Sequence, residues 1–296
     1  MSGDDTSGVI TPTTGFMAPI ADAYSFRCLM DFIGSTVTEA MLLFGSKTIE
    51  LRQQDSYGTI LHNMAIDTTS LVDYYLNPEY ESMNLGVDMR ALRSKIKNAQ
   101  KKQTVLTLFN NLTEVTEFYA TFKVPNKSNV PMSIIPTKRL KESPAIELPD
   151  YGDVAPSLTV QVVDLSSTFG HISNSKCKYA EVVCYARGVL ITGIVNGKVD
   201  AIQTLGKCAN PYTVGEERAA ELNGEAVAHY TISNTNIKPF AKINNVSPAS
   251  ATLKIYYAEG LPLRIVFPIG TIGTHECFLV SVNPQSMHPG GEDEDD

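Results

Sequence analysis

Five histidines, five cysteines, 32 acids and 24 bases are the residues in this chain that could carry chemistry, and their spacing decides which chemistry is open. His62, His171, His229, His275 and His288 have no HxxxH, HExxH or CxxC company. Each therefore reads as a surface or satisfied core residue, and no metal or cofactor is expected. Cys28, Cys177, Cys184, Cys208 and Cys277 are odd in number, widely spaced and mostly set in apolar runs. That is the usage of small buried hydrophobes in a reducing compartment. The glycines form no GxGxxG, GIVNGKV from Gly193 lacks the spacing of a phosphate loop, and no GxSxG elbow nominates a nucleophile. These spacings predict no enzyme.

The bases are organised differently. In DMRALRSKIKNAQKK, Arg90, Arg93 and Lys97 fall at i, i+3 and i+7 with Lys95, Lys101 and Lys102 beside them, and no acid intervenes from Met89 through Val105. A solvated helical face usually mixes signs for i, i+4 pairing, so six uninterrupted bases point to an anionic partner, with ordinary solvation as the bland alternative. Arg27 on a first helix, Lys176 and Lys178 closing a third, and Lys238 and Lys242 on a fourth bring the number of bases in or beside helices to 11 of 24. A face built of those helices suits the phosphates of a duplex without reading its sequence. The net charge of −8 does not oppose this, because seven acids lie at the chain ends, leaving 25 acids against 24 bases in residues 21–291.

The elements that must position these bases follow from periodicity. Phe26, Leu29, Met30 and Ile33 mark one face of a first helix, and Met89, Leu92, Ile96 and Ala99 that of a second. Strand patterns occur at KTIEL, GTILHNMAI, MNLGVDM, TVLTLF and EFYATFKV. Five prolines from Pro125 to Pro149 interrupt the pattern and predict a linker. Beyond it come a helix across Ser166 to Lys176, strands at YAEVVCYA, GVLITGIV, VDAIQTL and AVAHYTI, a helix over Lys238 to Val246, and strands at ATLKIYYA, LRIVFPI and ECFLVSV. The first order thus recurs, which predicts an α+β chain of two similar domains: an N-terminal extension at 1–20 expected to be disordered, domains at 21–125 and 156–283 around a connector at 126–155, and a disordered acidic tail at 284–296. No apolar run reaches the roughly 18 residues of a membrane helix, and the acidic N-terminus is unlike a signal peptide, so an intracellular, non-membrane protein is expected.

Short stretches in order resemble a known family. Leu51-Arg52-Gln53-Gln54-Asp55-Ser56 with Leu61, Leu85-Gly86-Val87-Asp88-Met89, Ile146-Glu147-Leu148-Pro149, and Leu261-Pro262-Leu263 through Phe278-Leu279 resemble, across residues 22–283, motifs of the sliding clamps of the proliferating cell nuclear antigen family. The resemblance implies the DNA clamp fold, with two helices per domain packed on antiparallel sheets, in a closed homotrimeric ring. Its function would be that of a DNA sliding clamp, a polymerase processivity factor that encircles double-stranded DNA without sequence preference. Its partners would be an ATP-dependent clamp loader, DNA polymerase and other clamp-binding replication and repair proteins, at replicating DNA. The DNA-facing residues would be Arg27, Arg90, Arg93, Lys97, Lys101, Lys176, Lys178, Lys238 and Lys242. A partner-peptide pocket would lie at Gln54, Leu61, Ile146, Leu148, Pro149, Pro262, Phe278 and Val280. Gly58 where the family commonly has His, Gln54 where it often has Met, and the long segment from Leu205 to Gly224 mark a divergent, virus- or phage-like member. Ring closure is expected through Glu117 to Val124 of one chain beside Lys198 to Leu205 of the next. The competing readings are a monomeric clamp-like transcription or replication scaffold and a structural, capsid-like β protein.

Overall fold

The computed structural model describes residues 13–99, 105–113, 116–123, 132–138, 140, 146–152, 157–196, 198–206 and 225–283. Its first half runs β1 (Thr14–Ile20), α1 (Ala23–Ile33), β2 (Glu39–Gly45), β3 (Thr48–Gln54), β4 (Ile60–Asp67), β5 (Tyr75–Leu76), β6 (Ser82–Asp88), α2 (Met89–Ile96), β7 (Val105–Asn111), β8 (Glu117–Lys123) and β9 (Met132–Lys138). The second runs β10 (Leu158–Gln161), α3 (Val162–Asn174), β11 (Tyr179–Tyr185), β12 (Gly188–Val195), β13 (Lys198–Gly206), β14 (Ala226–Ser233), α4 (Asn234–Ile237), a 3-10 helix (Lys238–Asn245), β15 (Thr252–Tyr256), β16 (Leu263–Ile269) and β17 (Gly273–Leu279). Among the described residues, apart from the two-residue β5 and a 3-10 turn at Thr68–Ser70, the second half repeats the first element for element.

Both helices of the first half begin on an aspartate that accepts a backbone N–H three residues on, Asp22 from Ser25 at 3.1 Å and Asp88 from Ala91 at 2.9 Å. They bury the predicted apolar faces, Phe26, Leu29, Met30 and Ile33 on α1 and Met89, Leu92 and Ile96 on α2. Three expectations need correction. The extension at 1–20 contains β1, which pairs with β7 on one side and β5 on the other; nearly every residue of TGFMAPI is buried, so the strand shows no alternation to detect. The connector at 126–155 contains β9 despite Pro136. Thr137 N–H donates to Thr116 at 2.8 Å, which turns odd-numbered residues of β9 toward β8 and the proline nitrogen toward the open edge, where no ladder bond is lost. The fourth helix is a four-residue α-turn followed by a 3-10 helix with Pro239 near its start. Residues 1–12 and the tail at 284–296 lie outside the described residues.

Thirteen strands are linked in the order β10-β15-β16-β17-β4-β3-β2-β6-β9-β8-β7-β1-β5, and a separate sheet runs β13-β12-β11-β14. The halves join where β17 pairs with β4 over seven residues, from Gly273 opposite Ile66 to Leu279 opposite Ile60. The end of β9 also pairs with β6, at Lys138 opposite Gly86, where a side chain on residue 86 would collide with the Lys138 carbonyl. One apolar core runs through both halves. Phe32 of α1 meets Phe240 of the 3-10 helix edge-on at 4.9 Å, and Phe240 meets Phe169 of α3 at 5.4 Å.

Candidate nucleic-acid face and partner pocket

The helices form one row: α2 touches α1, α1 touches the 3-10 helix, and the 3-10 helix packs on α3. Seven bases in this row are exposed, namely Arg90, Lys95, Lys97, Lys176, Lys178, Lys238 and Lys242. Among the described residues none of these is in an ion pair. The helices themselves contain only two acids, Asp31 and Asp164. Arg27, Arg93, Lys238 and Lys242 line one groove between α1, α2 and the 3-10 helix, and Lys178 and Lys238 line a second. Lys176 and Lys178 follow α3 instead of closing it, and Lys101 lies outside the described residues.

Arg27 and Arg93 do a different job from the lysines. Arg27 Nη1 donates to the carbonyls of Lys97 and Ala99, both at 3.1 Å, at the end of α2. Arg93 Nη1 donates to the Gly34 carbonyl at the end of α1 at 2.9 Å, while its Nε pairs with Asp31 at 2.8 Å. Each arginine thus satisfies the terminal carbonyls of the other's helix, a tie that run-of-charge reasoning cannot detect.

The pocket residues sit on the sheet around β17. Tyr256, Arg264, Phe278 and Leu61 are successive register partners across β15, β16, β17 and β4. Leu61, Phe278 and Tyr151 form a small buried cluster apart from the main core, against which Ile146, Leu148, Tyr256 and Leu261 pack. The connector is latched there: Tyr151 donates its hydroxyl to the Pro262 carbonyl, and Arg52 Nη1 donates to the Ile146 carbonyl at 3.2 Å. Burial pushes the Tyr151 phenol up to about 12, the Arg264 charge opposing that shift. The Arg264 guanidinium lies 4.7 Å from the Tyr256 ring centre, 5.5 Å from that of Tyr151 and 5.7 Å from that of Phe278, and pairs with Glu276 at 3.0 Å. Of the expected pocket residues, Leu61, Ile146, Leu148, Pro262 and Phe278 meet in this arrangement. Gln54, Pro149 and Val280 are half-buried outside the cluster. Tyr151, Tyr256 and Arg264 were missed, although Arg264 opposes the expected Phe278 in register.

No protein-family model and no curated protein matches the chain. Solved structures do. The chain is 14% identical to a chain of the PCNA2–PCNA3 complex from Sulfolobus tokodaii, with a TM-score of 0.70 over 90% of this chain and 98% of that one. It is also 14% identical to the proliferating cellular nuclear antigen of Entamoeba histolytica, with a TM-score of 0.72 over 91% of this chain and all of that one. Over nine-tenths of its length the chain has the fold of the proliferating cell nuclear antigen clamps.

Proposed function

We propose that the protein is a sliding clamp, a non-catalytic ring that surrounds double-stranded DNA and tethers replication proteins. The observation that carries this reading is the pair of open strand edges. Within the chain β17 of the second half pairs with β4 of the first. By the repeat of elements, the equivalents of those two strands are β9 and β13. Among the described residues β13 is paired on one side only, by β12, and the Met132–Pro136 part of β9 only by β8. Met132, Ile134 and Val199 on these strands are 59%, 44% and 57% exposed. The same strand pair made between chains yields a head-to-tail contact, which closes into a ring when the rotation permits. This replaces the expected pairing through Glu117 to Val124, because β8 already has β7 and β9 on its two sides. Three chains would close six similar halves, with the helix row and its unpaired lysines inside and the latched connector outside. A partner peptide with apolar and aromatic anchors would then dock at Leu148 and Phe278 beneath the connector.

Light scattering and a topological assay test this together. The expected mass is that of three chains, and protein loaded on circular duplex DNA is expected to stay until the circle is cut, then to slide off. A mass of one chain would favour the monomeric scaffold, and retention on cut DNA would show ordinary binding instead of encirclement.

A further inference from the structure

His62, His275 and Cys277 do not belong to either surface described above. His62 of β4 and Cys277 of β17 are direct register partners, and His275 lies two residues before Cys277 on the same face of its strand. All three are fully buried. His62 Nδ1 lies 3.1 Å from His275 Nε2 and 3.5 Å from Cys277 Sγ, and the three donor atoms all fall within 4.8 Å of one another. We propose that these residues form a binding site for zinc or a similar borderline-soft divalent cation, which clips the two halves together at their shared strand pair.

The two spacings from His62 Nδ1, to His275 Nε2 and to Cys277 Sγ, match edges of a coordination tetrahedron. Bonds of about 2.0–2.1 Å to nitrogen and about 2.3 Å to sulfur, at tetrahedral angles, set nitrogens roughly 3.3 Å apart and nitrogen roughly 3.5 Å from sulfur. The surroundings also orient His62 for this role. Thr36 Oγ1 is 3.2 Å from the Ile33 carbonyl, to which it gives its proton, and so accepts from His62 Nε2 at 2.8 Å. That leaves the His62 Nδ1 lone pair directed at the other two donors, the arrangement by which an outer hydrogen bond fixes the tautomer of a metal-binding histidine. Without a cation, His275 Nε2–H and Cys277 S–H compete for that single lone pair; a cation employs one lone pair from each residue. Among the described residues His275 Nδ1 has no hydrogen-bond partner. Phe32 and Phe267 wall the site with ring centres 5.2 to 5.8 Å from the imidazoles. Two imidazoles and one thiolate suit zinc, and the apolar wall excludes the hard cations that keep their water. Thr36 is half-buried and lines the groove between the halves, so one side chain separates His62 from an approach path. On binding, the Cys277 S–H bond breaks heterolytically, its proton passes to buffer, and no electron is transferred.

The test uses the full chain, reduced and refolded from urea with zinc or cobalt(II) salt present, then freed of loose metal. The expected result is one metal ion per chain by mass spectrometry and, for cobalt, thiolate charge-transfer and tetrahedral d–d absorption. Cys277→Ala keeps a small apolar side chain in the core and should fold, yet lose the charge-transfer band and weaken zinc binding at least tenfold. His275→Gln should likewise lower the metal content, with circular dichroism confirming the fold. A folded wild-type chain that retains no metal overturns the proposal, as does metal retained undiminished in both folded variants.

Discussion

Arg93 and Arg90 are three residues apart in one basic run, but their surroundings give them different work. Arg93 is paired with Asp31 and bonded to the Gly34 carbonyl, whereas Arg90 is exposed and in no ion pair among the described residues. Arg93→Ala is therefore expected to cost about 1 kcal/mol of stability in denaturant melts, for a half-exposed ion pair and one helix-end carbonyl. Arg90→Ala combined with Lys97→Ala should leave melting unchanged within about 0.5 kcal/mol, while lowering DNA retention and the slope of its salt dependence. Equal melting of all variants would remove the structural role of Arg93. At this scale the candidate face was legible in part: the count and clustering of bases are plain in the letters. Which bases are free was not, because Arg27 meets the end of α2 some 70 residues away in sequence. The His62, His275 and Cys277 group was invisible for the same reason: a strand brings i and i+2 to one face and its neighbour supplies a third residue from 213 positions away, with no local motif to mark it.

The elements were legible where one face is wet and one dry. α1 and α2 were found from their apolar spacing, and β16 and β12 lie on the LRIVFPI and GVLITGIV patterns. β1, buried on both faces, and β9, proline-bearing and set in a long linker, were not, since burial on both sides erases period two and a proline at an open edge mimics a break. α2 carries a prediction about its own start. The hydrogen bond from Ala91 N–H, aided by Lys138, holds the Asp88 carboxyl below its ordinary value of 3.8. Because the folded value is the lower one, the stabilisation is present above the unfolded value and disappears as pH falls through the folded one. Asp88→Ala should thus cost roughly 1 kcal/mol at pH 7, and the difference from wild type should shrink below about pH 3.8 in acid melts; a difference independent of pH would deny the cap its charge. The open strands carry another. Ile202→Pro in β13 breaks the edge that β9 of a neighbour would meet, so light scattering should fall from three chains to one while circular dichroism is kept. An unchanged mass would remove β13 from the interface.

At the scale of the whole molecule, the two halves share a core through Phe32, Phe240 and Phe169 as well as a strand pair. A single cooperative thermal transition is the expected outcome, and two separated calorimetric peaks would show that the halves fold independently. The β17–β4 seam has a further meaning when the protein is scarce. Those two strands belong to one polypeptide, so their meeting is unimolecular and the local concentration of each for the other never changes with dilution. β9 and β13 can meet a second chain only as often as chains collide. Mass action therefore works on half the seams of a ring and leaves the rest untouched. In the proposed ring, dilution should shed whole two-part chains, each leaving with one open strand edge from β9 and one from β13.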